Sequence, residues 1–487
     1  MELPDRDIAF QQVRDRLSEY GQRHVLAFWD ELDQTGQDRL LADICKVDFP
    51  LLRKLIDQWI RTEPEPETFG EIRPIDVAPI PDPADARAAE AKDAGEQALR
   101  DGRVGVLMVA GGQGSRLGFD GPKGAFPIGP ISQKTLFGYH AEKIRNLNSR
   151  YGCVLPWYVM VSAANHEATE SFFRKNDYFG LDKRDVLFFE QAMMPCVDCD
   201  GKFMLAARDR LAMNPNGHGG CLPAMVDGGV IRDARGRGFD VITYFQVDNW
   251  AVHVADPYFI GYHVLRHAAM SSKIIRKNHP REGVGVHCLC DGEYRVIEYT
   301  ELDIYPQLLE TDETGRLRFY AGNPAVHTIS VDFVETVSAR FDTFPWHRAY
   351  KKIAHIDSTG RLIRPDTPNG YKFETFIFDA LRFIDHEPVA LELDRAVEFT
   401  PVKQSTGTDS VESATRLMAE LWADWLDAAG SIVPRDQNGR PTVRLDISPE
   451  FAITKEEFIE KSAGRIWPTD TDLCIGPTGD TVFVILQ

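Results

Sequence analysis

The sequence contains no uninterrupted apolar run that approaches membrane-spanning length, and its opening, "MELPDRDIAF", has no apolar stretch to serve as a signal peptide. The chain therefore reads as cytoplasmic. Positive charge is in deficit: 55 Lys and Arg stand against 74 Asp and Glu, for a net charge of -19. That balance excludes a general affinity for nucleic acid or for an anionic membrane. It leaves open a local cationic cluster that grips one phosphorylated metabolite. Cysteine is sparse as well, and eight in 487 residues do not make a disulfide framework. Cys196 and Cys199 have zinc-knuckle spacing, but Cys288 and Cys290 lie far along the chain with one residue between them. We read all four as plain thiols. Internal repeats, low-complexity tracts and any Ser/His/Asp or Cys/His nucleophile arrangement are missing too.

What remains is an ordinary globular composition, 43% hydrophobic and 26% charged, long enough for two or three domains. Up to about Thr62 the pattern is helical: Val25, Phe28, Trp29 and Leu32 recur at helix spacing, as do Leu51, Leu52, Leu55, Ile56 and Trp59. The proline-rich "EPEPETFGEIRPIDVAPIPDPADA" predicts an extended connector laid across the next domain, and a helix follows from Pro83 to Arg100. Strands then alternate with helices: Val104–Val109, "WYVMVSA", "VLFFEQA" and "VITYFQVDN" are near-continuous apolar runs, as buried parallel strands are. Past Lys273 a hairpin is expected around Asp291-Gly292, a helix near "YKFETFIFDALRFI", a strand at "VALELD" and an amphipathic helix in "VESATRLMAELWADWLDAAG". The chain ends in short strands and turns, closing on "TVFVILQ". The fold class is α/β, with expected domains at 1–100 (helical, with the connector), 101–385 and 386–487 (small, β-containing).

The chemistry starts where the first strand ends, in "VGVLMVAGGQGSRLGFDGPKG". A Walker A loop would need Gly-Lys-Ser/Thr, and Lys123 stands between Pro122 and Gly124; Gly112, Gly114 and Gly118 miss the Rossmann spacing by one residue. Neither nucleotide fold applies, and an acid for a dinucleotide ribose is also lacking. Glycines directly after a buried strand still let backbone N–H groups approach an anion, with Arg116 and Lys123 at hand to neutralise it. Asp248 falls at the end of "VITYFQV", where a hard oxygen ligand beside a phosphate loop suits Mg²⁺. "NPNGHGG" places three glycines around His218, either against a flat ligand or in a long turn. Gln191 ends another strand with an amide that can serve a base edge. Glu298, Glu301 and Asn323 supply the carboxylates and amide that sugar hydroxyls require, or else ordinary turn residues.

"AGGQGSRLGFDGPKG", "KTLFGYHAEKI", "QVDNWAVHVADPYFIGYHV", "VGVHCLCDGEYRVIEYTEL", "AGNPAVH" and "IRPDTPNGYKFETFIFDAL" resemble, in this order, the motifs of the UDP-sugar pyrophosphorylases. The likeness runs from about Arg103 to Lys403 and is greatest to the eukaryotic UDP-N-acetylhexosamine enzymes. It implies a nucleotidyltransferase (GT-A-like, Rossmann-like) mixed-sheet core that forms a UDP-sugar and pyrophosphate from UTP and a sugar 1-phosphate with Mg²⁺. By position, Gly111, Gly112, Gly114, Ser115 and Arg116 would form the nucleotide loop, and Lys123 would hold the UTP phosphates. Gln191 and Gly217 would meet uracil with His218 beside them, and Asp248 would bind the metal. Gly285, Glu298 and Asn323 would line the sugar pocket, and Lys403 would reach the phosphates from the C-terminal side.

The resemblance departs at the sugar. The N-acetylhexosamine type leads one to expect Asn where His218 stands, and Gly-His-Gly is more typical of UDP-glucose and broad-specificity relatives. "AGN" and "EYTE", in contrast, are of the N-acetyl type. Two alternatives stay open: a UDP-glucose or broad UDP-sugar pyrophosphorylase, and a non-catalytic sugar-nucleotide-binding protein.

Overall fold

The computed structural model describes residues 6–62, 65–385 and 388–482, with the side chains of residues 6–9 outside that description. Two units interleave along the chain. One is built from Met1–Thr68, Gln191–Ala224 and Ala339–Ala380, the other from Phe69–Glu190, Met225–Ser338 and Leu381–Gln487. This partition cuts across the boundaries expected near residues 100 and 385, because long-range pairing rather than chain order decides which segments share a core.

In the first unit, the helices Arg6–Glu19, Gln34–Cys45 and Phe49–Trp59 carry the N-terminal apolar positions. Asp33 and Asp48 start the second and third by accepting from Gly36 N and Leu51 N. Val25, Phe28 and Trp29, expected on an α-helix, lie instead on and between two short 3₁₀ turns, Arg23–Leu26 and Trp29–Glu31. Leu17, Leu40, Phe49, Leu52 and Leu55 form one core with Phe203, Leu205 and Phe373 from the two later segments. Gly370–Glu374 is a strand, paired with His347–Lys351 and with Val197–Asp198, and Ile377–Phe383 is a 3₁₀ helix. The single helix expected over "YKFETFIFDALRFI" is thus replaced. The β-rich "YKF" alternates, Phe373 enters the core, and strands on both sides satisfy its backbone.

The second unit holds one mixed sheet of eleven strands among the described residues. In chain order they are β1 (Ile72–Pro74), β2 (Val104–Val109), β3 (Trp157–Val161), β4 (Val186–Glu190), β5 (Val241–Gln246), β6 (Met270–Arg276), β7 (Val286–Cys290), β8 (Glu293–Ile297), β9 (Ala321–Gly322), β10 (His327–Ser330) and β11 (Ala390–Glu392). The sheet runs β1-β7-β9-β6-β10-β5-β2-β3-β4, with β8 beside β7 and β11 beside β6. Strands β5, β2, β3 and β4 are mutually parallel, as their unbroken apolar runs predict. The connector does lie across this unit: Ile72–Pro74 pairs with β7, and Ala78 exchanges backbone bonds with Ala390 and Glu392. Asp291 and Gly292, both at positive φ, make the tight turn of the expected hairpin between β7 and β8.

The C-terminal segment shares this unit's core. On the helix Val411–Ala428, capped by Ser410, the residues Ala414, Met418, Trp422, Trp425 and Leu426 pack into the same apolar cluster as Val104, Val106 and Phe245. Buried Asp446 ties this segment to the loop after β2, accepting from Ser132 N (2.8 Å) and Tyr139 Oη (2.8 Å). Thr481 still pairs with Ile475 and Val482 N donates to Cys474 O (2.8 Å), while residues 483–487 of "TVFVILQ" lie outside the described residues. No helix of the described residues is long and apolar enough to cross a membrane. Cys196 is buried and Cys199 exposed beside Tyr350, and the described cysteines form no disulfide.

Candidate active site

Strand β2 has its successor β3 on one side and β5 on the other, so the chain switches direction across the sheet between β2 and β5. Open α/β sheets bind ligands outside the carboxyl ends of strands at such a point. The register pairs Gln246 with Val109, and Val247 N still donates to Val109 O (3.1 Å). Asp248 is therefore the first residue beyond the ladder, alongside Gly111.

The loop from Gly111 to Gly124 is braced from behind. Ser162 Oγ donates to Gly111 O (2.9 Å), and Asn165 Nδ2 donates to Ala110 O (2.8 Å) and Gly112 O (3.3 Å). Across the loop, Gly114 N donates to Gly121 O and Lys123 N to Gly112 O. Among the described residues, the N–H groups of Gly111, Gly112, Gln113, Ser115 and Arg116 have no partner within the protein. A side chain at Gly112 would meet nothing within 4 Å, whereas Gly114 packs on Phe119. The loop thus presents a row of donors with carbonyls turned away, which is the arrangement that cradles an anion. Ser115 and Arg116 are exposed at its rim.

Lys123 Nζ lies 2.8 Å from Asp248 Oδ2, with both side chains mostly buried. Burial alone would raise the Asp248 carboxyl; the charges of Lys123 and Lys403 outweigh it and hold the group below its usual value. Asp248 is therefore a fixed anionic group, and an ammonium has three donors, so Lys123 can serve Asp248 and a phosphate together. Lys403, which sequence spacing gave no reason to place here, arrives on a strap: Val402 N donates to Asp248 O (2.9 Å), and Lys403 Nζ contacts Asp409 Oδ2 (3.1 Å). From below, the helix Leu136–Tyr151 holds the segment that follows β5. Burial keeps His140 neutral, its pKa lowered to about 3, and its Nε2 donates to Val247 O (3.1 Å). Lys143 Nζ donates to Trp250 O and Val252 O.

The three sugar-pocket candidates meet at the far side of the same sheet edge. Met270 and Ile242 both face Ile329, and Ile275 and Val247 stand equally far beyond that rung. Gly322 pairs with Ile275, which puts it level with the end of β5. Asn323 N donates to Gly285 O (2.9 Å), and a Cβ at Gly285 would come within 3.1 Å of Glu298 Oε1. Gly285, Glu298 and Asn323 are thus neighbours. Glu298 also joins Glu301 in a reciprocal cap of the turn Tyr299–Glu301, so Glu301 has a structural duty.

Gln191, Gly217 and His218 belong to the first unit. Gln191 is buried and its Nε2 donates to Gly217 O (3.2 Å). The glycine segment is pinned to the chain after the strand Gly370–Glu374: Gly219 N donates to Thr375 O (2.9 Å), and Thr375 N to Asn216 O (2.7 Å). Gly217 has φ +86°, and a Cβ there would sit 2.3 Å from Thr375 O. "NPNGHGG" is therefore a tightly docked turn whose glycines admit another backbone. His218 Nδ1 accepts from Ile377 N (3.1 Å), which leaves Nε2–H as its donor. Burial, then the charge of His347, lowers its pKa to about 4. Its ring lies against Phe376 and Phe378, at 5.3 and 5.9 Å between centroids. Sequence reading missed both phenylalanines because it placed them on a helix; it missed Asn165 because a single amide after small residues carries no pattern.

One further cluster has metal-ligand chemistry: ligand atoms of His253, Asp256 and Glu398 lie within 4.8 Å of one another. Lys273 fills it. The buried ammonium contacts Asp256 Oδ2 (2.7 Å) and Glu398, whose charges outweigh burial and hold it above its usual pKa. A cation added there would face a fixed positive charge. Asp248 also has an ammonium beside it, that of Lys123, but it lies next to the glycine loop, where one carboxylate plus substrate phosphates is the ligand set that Mg²⁺ prefers.

A family model described as UTP–glucose-1-phosphate uridylyltransferase matches residues 53–456. The chain is 36% identical to the human UDP-N-acetylhexosamine pyrophosphorylase-like protein 1, over 93% of this chain and 95% of that protein. It is 34% identical to UDP-N-acetylglucosamine diphosphorylase 2 of Arabidopsis thaliana, over 97% and 96%. The solved uridine diphosphate N-acetylglucosamine pyrophosphorylase of Trypanosoma brucei, in complex with an inhibitor, superposes with a TM-score of 0.79 at 27% identity, over 97% of this chain and 99% of that one. A UDP-glucose phosphorylase structure from Trypanosoma brucei shares the fold alone, with a TM-score of 0.58 at 16% identity over 89% and 86%. With one family model over most of its length and relatives above 30% identity along nearly all of it, the chain belongs to the UTP–glucose-1-phosphate uridylyltransferase family.

Proposed function

We propose that this protein transfers a uridylyl group from UTP to N-acetylglucosamine 1-phosphate, giving the UDP-sugar and pyrophosphate. The observation that carries the reading is the pairing of Lys123 with Asp248 beside a loop of open N–H donors, at the switch point of the sheet. A protein that only held a UDP-sugar would have little use for cations on the side where pyrophosphate leaves.

In the reaction, an oxygen of the sugar phosphate bonds to the α-phosphorus of UTP while the bond to the bridging oxygen breaks and pyrophosphate departs. The attacking phosphate is already ionised near neutral pH, so no protein base or nucleophile is required, and the lack of either in the sequence follows. The protein's share is alignment and charge neutralisation. The N–H groups of the Gly111–Arg116 loop hold the triphosphate. Arg116 and Lys403 would add positive charge to it, and Lys123 would balance the growing charge on the leaving group. Asp248 would hold Mg²⁺, which when bound neutralises phosphate oxygens. Glu298 and Asn323 would accept from and donate to sugar hydroxyls beside Gly285. Gln191 and the Nε2–H of His218 are the groups offered to uracil.

The choice of N-acetylglucosamine rests on the names of relatives that are similar along nearly the whole chain, against which Gly-His-Gly is a departure. Pyrophosphate release from UTP, measured with N-acetylglucosamine, N-acetylgalactosamine and glucose 1-phosphates, tests it. A kcat/KM highest for N-acetylglucosamine 1-phosphate supports the proposal, and a preference for glucose 1-phosphate overturns the substrate while keeping the chemistry.

A further inference from the structure

Lys403 stands beside Asp248, although 154 residues separate them in sequence and its own side chain is two-fifths exposed, paired only with Asp409. A long, exposed lysine has no intrinsic reason to hold one position, since it loses rotamer entropy by doing so. Something must fix its backbone instead. The strap 398–403 answers that need, and two of the bonds that hold its middle go to one side chain, that of Asn249.

Asn249 is 3% exposed and uses both ends of its amide. Nδ2 donates to Glu398 O (2.8 Å), and Oδ1 accepts from Thr400 N (2.9 Å). Asn249 and Pro401 lie opposite each other in an antiparallel bridge, in which Val402 N donates to the carbonyl of the neighbouring Asp248. The strap is therefore clamped at alternate residues up to Val402, and Lys403 N then donates to Asp409 O (2.7 Å). Its root is anchored separately: the Glu398 side chain reaches Lys273 on β6, which also holds Asp256, the cap of the helix Pro257–Leu265. Two buried acids against one buried base hold the strap's origin to the centre of the sheet. Asn249 then sets how far along that strap Lys403 emerges relative to Asp248.

We propose that Asn249 is a positioning residue for uridylyl transfer, acting through Lys403 by fixing the strap that carries it beside the metal-binding carboxylate. The inference rests on the reading of Lys403 as a phosphate-contacting cation. An amide is the side chain that suits this role, because it supplies a donor and an acceptor about one peptide unit apart, matching the C=O and N–H of an extended backbone. Asp would repel the Glu398 carbonyl, and Ser would satisfy one group only.

The proposal is tested by a double-mutant cycle on the full-length protein, read by the kcat and UTP KM of pyrophosphate release. Asn249→Ala is expected to lower kcat about 10- to 100-fold, the cost of misplacing a catalytic group by about an ångström, with UTP KM changed less than about threefold. In the Lys403→Ala background the same substitution is expected to cost less than about threefold, because the group it positions is gone. An equal loss in both backgrounds overturns the proposal, since a merely structural residue acts additively. If Asn249→Ala does not yield folded protein, Asn249→Ser, which keeps one of the two bonds, is read in the same cycle with a smaller expected coupling of the same sign. Lys403→Ala with unchanged turnover overturns the role of Lys403 and this proposal together. A normal loss for Lys403→Ala with an additive Asn249 effect overturns only the positioning role.

Discussion

Replacing Lys123 with alanine isolates the group on which the catalytic reading depends most. The ammonium lies 2.8 Å from Asp248 Oδ2, and less than a fifth of either side chain is exposed. At that distance an effective dielectric near 20 gives a raw attraction of about 6 kcal/mol. Desolvation cancels part of it, and breaking a buried pair costs about 3–5 kcal/mol. In catalysis, a donor aimed at developing charge in a shielded site is worth about 2.7–4 kcal/mol, or roughly 100- to 1000-fold in kcat. Lys123→Ala should therefore lower kcat by that factor. UTP affinity, shared among five loop N–H groups and two other cations, should fall less than about tenfold. Lys123→Arg keeps the charge but substitutes a planar fork for a compact ammonium, and should recover part of the loss. Steady-state pyrophosphate release, with UTP affinity measured separately by calorimetry, separates the two effects. Equal losses in kcat and in UTP affinity would refute the reasoning and assign Lys123 to ground-state binding.

Other expectations follow from single sites. Gly112→Ala should leave the thermal midpoint unchanged, since its Cβ would meet nothing within 4 Å, yet lower turnover by blocking the approach of phosphate; a lower midpoint with normal kcat would contradict this. Gly217→Ala should destabilise by more than about 2 kcal/mol through the contact with Thr375 O and a φ of +86°, as read by denaturant unfolding. Glu298→Gln should raise the KM for sugar 1-phosphate about tenfold while the UTP KM stays level, the loss of a charged hydrogen bond. Burial lowers the pKa of His140 and His287 to about 3 and of His218 and His263 to about 4. Unfolded histidines take up protons near 6.5 while these four do not, so their contribution to stability is complete above pH 6.5 and is lost as pH falls towards 4. Each adds up to about 1.4 kcal/mol per pH unit to that slope, and a thermal midpoint that is flat from pH 7 to 5 would contradict it.

The parallel half of the sheet was legible in the sequence because its signal is local. Val104–Val109, Trp157–Val161 and Val241–Gln246 are continuous apolar runs whose first polar residues mark the ligand edge. Asp291-Gly292 was legible for a similar reason, since only a tight turn asks for two successive positive φ angles. The interleaving of the two units was not, because the pairing of Val197–Asp198 with Gly370–Tyr371 leaves no trace in either segment alone. Phe376 and Phe378 were misread for the same cause: a helix-like spacing of aromatics was overridden by the docking of Thr375 on the Asn216–Gly219 turn. Within the candidate site, the glycine loop, Lys123 and Asp248 could be reasoned from strand ends and chemistry. Lys403 could not, because its place depends on Asn249 and on a strap whose residues carry no pattern of their own.

The central claim, transfer of a uridylyl group with pyrophosphate as the leaving group, is tested most directly in reverse. Incubating the protein with UDP-N-acetylglucosamine, labelled pyrophosphate and Mg²⁺ should yield labelled UTP and N-acetylglucosamine 1-phosphate in equal amounts, and Lys123→Ala should suppress both together. Tight binding of the UDP-sugar with no labelled UTP, or the release of UMP in its place, would contradict the account.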